Sequence, residues 1–142
     1  MMTILRIIVA VIAGLAVGVL VNMGLIMLGS ALIPVPEGVD VTDAESIASS
    51  IGLFEPKHFL FPFLAHAVGT LAGATSAWLI GKPQRAPVAY VVGVFFLLGG
   101  VVNSFAIPAP VWFTAADLLL AYLPMAWLAT MVGQQLAGRS AE

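Results

Sequence analysis

Four long apolar stretches dominate the pattern of hydrophobic and polar positions along the chain. They cover about residues 4–33, 59–80, 88–107 and 114–136, and polar side chains interrupt them only sparsely. A bilayer core of about 30 Å requires about 20 apolar residues in a helix. Because each stretch reaches that length, the pattern predicts an all-α membrane protein. The predicted architecture is a bundle of four transmembrane helices forming a single integral membrane domain over residues 1–142.

The composition strengthens this prediction. Hydrophobic residues make up 61% of the 142 residues and charged residues only 8%, whereas an ordinary soluble domain has about 25% charged residues. The lipid bilayer is therefore the expected partner of most of the surface. A net charge of −2 without a basic patch argues against a nucleic-acid partner. The absence of cysteine excludes disulfides and thiolate chemistry, and no cofactor motif is present.

The basic residues predict an orientation in the membrane. Cytoplasmic loops carry an excess of Lys and Arg. The predicted short loops place four basic residues on one side and one on the other: Arg6, Lys82, Arg85 and Arg139 against Lys57. The N-terminus, the C-terminus and a loop over residues 81–87 are therefore expected in the cytoplasm. The long loop over residues 34–58 is expected outside.

The outer loop carries a pattern of its own. Pro34 ends the first span, because proline cannot donate the backbone hydrogen bond that would continue a helix. Thr42 and Glu45 have the spacing of a capping box, with Thr42 as the N-cap. The apolar positions that follow lie on one helical face: Ile47, Ile51 and Phe54. We therefore expect a short amphipathic helix that covers the mouth of a nearly dry bundle.

An internal duplication is a second interpretation of the chain. Residues 30–36 and 104–110 both contain Ile-Pro-x-Pro at the end of a span, and residues 69–73 resemble residues 129–133. Two parallel helical-hairpin repeats would explain both similarities. The alternative is that Ile-Pro-x-Pro is a common way to end a span and that small residues recur in any packed membrane helix.

His66 is the polar residue that stands out within the spans. It lies about eight residues into the second span, about 10 Å below the surface at 1.5 Å per residue. Ionisable side chains at such depth face protein or a water-filled cavity. His66 can be a neutral residue that hydrogen-bonds across a helix contact, since Gly69 and Gly73 form a Gly-xxx-Gly packing pair beside it. The other interpretation is a ligand-binding or proton-handling role.

Asp117 has two interpretations as well. It follows Thr114 by three residues, which favours a role in capping the fourth span, but it could also pair with His66. Asn22 and Asn103 are typical of hydrogen bonds between membrane helices. Pro124 predicts a kink in the fourth span. Together these residues define a candidate polar pocket that opens outward: His66, Thr70, Asn22, Asn103, Asp117, Glu55 and His58.

A metal site is not predicted. The chain has two histidines, His58 and His66, and eight residues of straight helix separate them by about 12 Å. One ion cannot bind both across that distance. The same distance disfavours haem ligation by the pair.

Several segments resemble known sequences. They are residues 36–42, 54–59, 66–70 and 108–113. With similarity over nearly the whole chain, they resemble a group of small uncharacterised four-span bacterial inner-membrane proteins. The resemblance implies a location in the bacterial plasma membrane and four spans, and it implies no activity.

These features favour a binding, accessory or assembly component that associates with itself or with a larger membrane complex. The alternative is a transporter or channel subunit whose polar path passes His66. A membrane enzyme acting on a lipid or quinone is a third possibility. The Gly-rich stretches lie inside apolar spans and no nucleotide-binding loop or nucleophile motif is present, so an enzyme is not predicted.

Overall fold

The regular structure of the chain is helical. The computed structural model describes residues 2–139, and within that range it contains six α-helices. Their bounds are α1 Met2–Leu32, α2 Ala44–Ser50, α3 Leu60–Ile80, α4 Arg85–Ala106, α5 Val111–Leu120 and α6 Leu123–Arg139. Short 3₁₀ turns at Ile51–Leu53 and Pro56–Phe59 connect α2 to α3.

Four segments of this structure are long and apolar enough to cross a membrane. They are Thr3–Leu32, Pro56–Ile80, Arg85–Ala106 and Val111–Gly138. This confirms the predicted four-helix, all-α membrane-type bundle. The side chain of Arg139 and the C-terminal residues 140–142 lie outside the described residues, so the predicted orientation is not examined at that end.

The two ends of the bundle differ and are named here by their connections. The loop end carries residues 33–59 and the 107–110 connection, and the turn end carries the start of α1 and the 81–84 connection. At the turn end the Arg6 Nε donates to the Ile80 carbonyl oxygen at 3.0 Å. The Arg85 guanidinium lies over the Trp78 ring, 4.5 Å from its centroid. The basic residues Arg6 and Arg85 therefore hold the turn end together.

Helices α1 and α3 pack with their backbones in contact. A Cβ atom at Gly73 would lie 2.5 Å from the carbonyl oxygen of Gly14, and one at Gly69 would lie 2.9 Å from that of Gly18. Gly69 and Gly73 were expected to pack against another helix. Their partners are a second Gly-xxx-Gly pair, Gly14 and Gly18, that the sequence interpretation had not singled out.

The core of the turn-end half consists mainly of small side chains. Its buried members are Ala10, Ala74, Ala77, Trp78, Val88, Ala89, Val92, Ala126 and Ala129. Alanine allows helices to approach closely, and close approach supplies the van der Waals contacts that hold membrane helices together. The turn-end half is thus a closely packed four-helix contact.

The prediction that residues 81–87 form a loop throughout is wrong at its C-terminal side. Helix α4 begins at Arg85, three residues before the predicted start of the span. Pro87 is compatible with this because it falls in the first turn, where backbone N–H groups have no partner within the helix. The missing N–H of proline therefore costs no hydrogen bond there.

The fourth span is broken. Helix α5 ends at Leu120 and α6 begins at Leu123, with Ala121 and Tyr122 between them. Pro124 is the second residue of α6 and cannot donate to the Leu120 carbonyl. The predicted kink at Pro124 therefore agrees with the structure, as a full interruption of the helix.

Helix α2 forms in the loop-end segment as predicted, but its N-cap differs from the predicted residue. The N-cap of α2 is Asp43, whose carboxylate accepts hydrogen bonds from the backbone N–H groups of Glu45 and Ser46. The assignment of Thr42 as the N-cap is wrong, because its hydroxyl and its N–H both donate to Asp40 Oδ1. The segment turns at Gly38, whose φ of +86° suits a residue without a Cβ.

The predicted duplication has mixed support. The two Ile-Pro-x-Pro segments follow α1 and α4 at the same end of the bundle. However, α1 lies in backbone contact with α3 along its length, whereas the last span is broken into α5 and α6. The duplication stays a prediction.

Candidate functional site

Three polar side chains meet in the loop-end half of the bundle. His66 Nδ1 lies 2.8 Å from Asp117 Oδ1, and the Tyr122 hydroxyl donates to Asp117 Oδ2 at 2.7 Å. The His66 and Tyr122 rings stack with their centroids 5.8 Å apart. Helix α3, helix α5 and the α5–α6 break each contribute one residue, so one hydrogen-bonded group joins the second span to the fourth. We call it the His–Asp–Tyr triad.

The capping role predicted for Asp117 is wrong. Helix α5 begins at Val111 with Pro110 as its N-cap, so Asp117 is the seventh residue of the helix. Its side chain is buried, with the residue 4% exposed. Thr114 is likewise inside α5 and does not cap it. The structure instead has the other arrangement considered, in which Asp117 pairs with His66.

Tyr122 was not identified from the sequence, although it completes the triad. It lies in the break between α5 and α6, which directs its ring toward α3 and α4. A Cβ atom at Gly100 of α4 would collide with the phenol ring of Tyr122. The glycine therefore provides the space in which the hydroxyl reaches Asp117. The sequence contains one signal for Tyr122: it is a polar aromatic residue two positions before a mid-span proline.

The hydrogen bonds of the triad define which atoms remain available. An ionised carboxylate can only accept hydrogen bonds. Asp117 as a carboxylate therefore accepts from Tyr122 and from a hydrogen on His66 Nδ1. In a neutral ring this leaves Nε2 with a free lone pair. Among the described residues, Nε2 has no hydrogen-bond partner.

Two cavities of about 280 Å³ each adjoin the triad. The outer cavity extends from the triad to the loop end, beneath residues 33–59. The inner cavity lies between α1, α3 and α4 and reaches deeper into the bundle. Both are lined by the same four residues at their junction: Asn22, His66, Gly100 and Asn103. The bundle is therefore not closely packed in this half, and a nearly dry interior stays a prediction.

The amphipathic segment forms the roof of the outer cavity. Its predicted apolar face lines this cavity, with Ile47, Ile51 and Phe54 all in its wall. Phe59 anchors the roof to the bundle, because its ring lies 4.8 Å from that of Phe113 and 6.0 Å from that of Phe54. The prediction that the outer segment covers the mouth of the bundle agrees with this arrangement.

The residues of the predicted polar pocket are only partly brought together. His66, Asn22 and Asn103 line both cavities, Asp117 and His58 line the outer one, and Thr70 lines the inner one. Glu55 lines neither of the two cavities and was wrongly included. It instead caps the 3₁₀ turn Pro56–Phe59, which precedes α3, in a reciprocal pair with His58, because Pro56 fixes the chain in the helical conformation directly after it.

His58 differs from His66 in how its ring is used. The Glu55 backbone N–H donates to His58 Nδ1 at 2.8 Å, and Nε2 lies 3.2 Å from the Pro34 carbonyl oxygen. Since Nδ1 accepts, the hydrogen must be on Nε2, which donates to Pro34. Both ring nitrogens thus stabilise the roof, and His58 has no free nitrogen for a ligand.

The site offers no set of side chains suited to a metal ion. Over residues 2–139, no three His, Asp or Glu side chains form a group that could hold one. The chemistry available at the triad is hydrogen bonding and proton exchange at His66 Nε2.

Comparisons with known protein families, with curated proteins and with solved structures found no match to this chain. The resemblance to small four-span inner-membrane proteins stays a prediction.

Proposed function

We propose that the protein is a non-enzymatic binding component of a membrane, which takes up a small, largely apolar molecule in the outer cavity. The observation that carries this proposal is the free Nε2 of His66 at the floor of a mostly apolar cavity. Small-molecule sites combine apolar walls with a few convergent polar groups. The cavity volume of about 280 Å³ lies near the lower end of their usual range of about 300–1,000 Å³.

Binding is favoured over conduction because the turn-end half of the bundle is closely packed. Between the inner cavity and the turn end lie the Gly14–Gly73 backbone contact and the alanine core. An ion or solute that enters at the loop end meets this packing below Thr70. The cavities are therefore closed toward the turn end, which suits binding better than passage along the bundle axis.

A non-enzymatic role is favoured by the surroundings of His66. Nucleophilic catalysis of the serine type requires a hydroxyl hydrogen-bonded to the imidazole. Within residues 2–139, the hydroxyl groups of Ser104 and Ser30 donate to backbone carbonyls and that of Thr70 has no partner, so none of the three is hydrogen-bonded to His66. The enzyme acting on a lipid or quinone is therefore not proposed.

Cysteine accessibility tests the binding proposal, because the chain has no native cysteine. Ser104→Cys places a thiol in the wall of the outer cavity, and Ala129→Cys places one in the alanine core. We expect N-ethylmaleimide to modify the first about tenfold faster or more, since reactivity follows exposure of the thiol. The neutral compound n-butylbenzene should slow modification at position 104 only. Equal rates at the two positions, or no protection by any cavity-sized compound, would contradict the proposal.

A transport subunit is the second candidate. It is favoured by the inner cavity, which continues beyond His66 to Thr70 and Tyr122. Proteoliposome flux of protons and of small solutes, compared between wild type and His66→Ala, tests it. Flux that is abolished by the substitution would support transport. Flux absent from both proteins would leave binding as the better account.

We further propose that the protein resides in the bacterial plasma membrane with the loop end outside and both termini in the cytoplasm. The support is the distribution of charge, with Arg6, Lys82 and Arg85 at the turn end and Lys57 at the loop end. Gln84→Cys and Gly38→Cys test this with a membrane-impermeant maleimide on intact cells. Only the thiol at position 38 should react, and reaction at position 84 alone would reverse the orientation.

Assembly with a second copy or with a larger membrane complex belongs to the same proposal. One face of α1 is packed on α3, and much of the rest of α1 is apolar and exposed in the isolated chain. Native mass measurement of detergent-extracted protein tests this. A strict monomer without a co-purifying partner would remove the assembly role and leave the cavity proposal intact.

A further inference from the structure

Most polar groups near the roof of the outer cavity are already paired, with the Thr114 hydroxyl as the exception over residues 2–139. The hydroxyl groups of Ser30 and Ser104 donate to the carbonyl oxygens of Ile26 and Val101, at 3.0 and 2.7 Å. Both nitrogens of His58 are used within the roof. The remaining wall of the outer cavity is mainly apolar. A ligand in this region therefore meets mostly hydrocarbon.

Around His66, at the floor of the outer cavity and in the adjoining inner cavity, lie polar groups that have no hydrogen-bond partner in the described part of the chain. Thr70 is 1% exposed, and its hydroxyl oxygen is a buried side-chain polar atom without a hydrogen-bond partner over residues 2–139. The side-chain amides of Asn22 and Asn103 make no hydrogen bond among those residues either. With His66 Nε2, four unpaired polar groups line the inner cavity or its junction with the outer one. Of the four, the Thr70 hydroxyl is fully buried, His66 and Asn22 are partly exposed, and Asn103 is exposed in the isolated chain. A buried polar group left unpaired is costly, particularly in a membrane.

The charges around the cavity select against an ionic ligand. Asp117 is the one carboxylate in the walls of the two cavities, and both of its oxygens already accept hydrogen bonds. An anion would be repelled by Asp117, and a cation would find no free carboxylate oxygen. Lys57 at the roof is paired with Glu55 at 3.1 Å. The unpaired groups at the floor are neutral hydrogen-bonding groups.

The free groups also specify the hydrogen-bonding character of the ligand. The lone pair of His66 Nε2 requires a donor, whereas the amide N–H groups of Asn22 and Asn103 require an acceptor. A hydroxyl group meets both requirements with one oxygen atom. The order of polarity is inverted relative to a bilayer lipid, because the polar groups lie deepest and the apolar wall lies nearer the surface. An ordinary lipid in its bilayer orientation would place its acyl chains against the polar floor.

We infer that the occupant is an uncharged amphiphile with a hydroxyl head and an alkyl or aryl body, which binds with its head inward at His66. This inference rests on the proposed binding function and specifies its ligand class. A phenol or an alcohol with a short apolar body has this chemistry.

Matched probes test the inference on the full-length protein in nanodiscs. The four compounds are 4-butylphenol, n-butylbenzene, 4-butylbenzoate and 4-butylbenzylamine, which share one body and differ in the head. Binding is measured as protection of the Ser104→Cys thiol. We expect 4-butylphenol to bind about tenfold more tightly than n-butylbenzene, a difference of about 1.4 kcal/mol, and the two ions to bind more weakly than the phenol. In the Ser104→Cys, His66→Ala double variant the ratio of phenol affinity to n-butylbenzene affinity should fall toward one.

Nitrogen-15 NMR of the two histidines supplies a measurement that needs no variant at the site. The phenol should shift the Nε2 resonance of His66, and n-butylbenzene should leave it unchanged. His58 is the internal control, because its Nε2 donates to Pro34 and should respond to neither compound.

The outcomes separate this inference from the function on which it rests. If no compound protects the thiol, the binding function fails. If n-butylbenzene or an ion protects as well as the phenol, or if the His66 resonance does not move with the phenol, the cavity binds ligands but the hydroxyl head is wrong.

Discussion

The two halves of this bundle use the same four spans in opposite ways. In the turn-end half, Gly14 and Gly73 bring two backbones into contact, and alanine side chains complete the core. In the loop-end half, the long polar side chains of the triad join α3 to the broken fourth span, and two cavities lie beside them. Mean hydropathy does not distinguish the halves, since both lie within apolar spans.

The difference shows that side-chain size and the position of polar groups decide where a membrane bundle closes. Small residues allow helix axes to approach, whereas His66 and Tyr122 hold the helices apart around Asp117. The hydrogen bonds of the triad then stabilise the wider half without filling it. A bundle built this way is closely packed at one end and contains cavities at the other.

Overpacking the closed half should have the largest effect. Gly14→Leu would place side-chain atoms where a Cβ alone already lies 2.7 Å from the Gly73 carbonyl oxygen. Because a backbone atom cannot move aside, α1 and α3 must separate. We expect a loss of about 3 kcal/mol or somewhat more, at the upper end of overpacking effects. Unfolding in mixed micelles with increasing SDS, followed by circular dichroism, measures it.

Gly24→Leu is the matched control for that experiment. It makes the same change in the same helix, but no atom lies within 4 Å of the added Cβ. Leucine has a better helix propensity than glycine by somewhat under about 1 kcal/mol, so this variant should be neutral or slightly stabilised. Equal destabilisation by the two substitutions would mean that the Gly14–Gly73 contact does not hold the bundle.

Removing one hydroxyl group from the open half should have the next largest effect. Tyr122→Phe leaves Asp117 Oδ2 buried without its donor at 2.7 Å. Hydrogen bonds to charged groups contribute about 1.5–3 kcal/mol, so we expect a loss in that range by the same unfolding assay. Tyr90→Phe is the control, since Tyr90 is 39% exposed and has no hydrogen bond from its hydroxyl among the described residues. A loss no larger than that of the control would argue against a structural role for the triad.

The spans could be predicted from the sequence because their signal is local. About 20 apolar residues in a row define a membrane helix whatever lies beside it. The face of Ile47, Ile51 and Phe54 was predicted for the same reason, since helical periodicity is a property of neighbouring positions. His66 could also be singled out from the sequence, because its depth follows from its place in the span, and the structure pairs it with Asp117.

The triad could not be predicted in full because its partners are set by contacts distant in the chain. Asp117 is 51 positions from His66, and the local Thr114–Asp117 spacing suggested a cap instead. The proline pair at 108 and 110 allows α5 to begin at Val111, which moves Asp117 into the helix interior. Thr42 was misassigned for a related reason, since both Thr42 and Asp43 can cap a helix and only the contact with Asp40 decides between them.

Loosening the roof tests whether the amphipathic segment controls access to the open half. Asp43→Ala removes the N-cap of α2, and loss of such a cap costs about 0.5–2 kcal/mol. Faster hydrogen exchange at the amides of residues 47–50 and faster maleimide modification of Ser104→Cys should follow. Thr42→Ala should leave these amides protected, because Thr42 does not cap the helix. The opposite ranking of the two variants would restore Thr42 as the cap.

The smallest expected effect concerns Asp40, whose carboxyl group is exposed in the same segment. The carboxyl group of Asp117, by contrast, is buried. The Thr42 hydroxyl and then the Thr42 backbone N–H stabilise the charged form of Asp40, so its pKa lies below its usual value. A carboxyl group with a lowered pKa stabilises the fold above its unfolded pKa of about 3.9 and loses that contribution as the pH falls through the folded pKa. The Asp40–Thr42 turn should therefore open only in strong acid, while the bundle stays folded.

Carbon-13 NMR of the Asp40 carboxyl group measures this titration directly. Thr42→Val removes the hydroxyl and keeps the backbone N–H, so the pKa of Asp40 should rise part of the way toward its ordinary value. A carboxyl group that titrates at its ordinary value in the wild type would show that the turn is not held by Thr42. Because Asp40 is a surface group, the free energy of unfolding of the bundle should respond far less than it does to Tyr122→Phe. That contrast between two carboxylates follows from the same division of the molecule, since only Asp117 joins α3 to the broken fourth span in the open half.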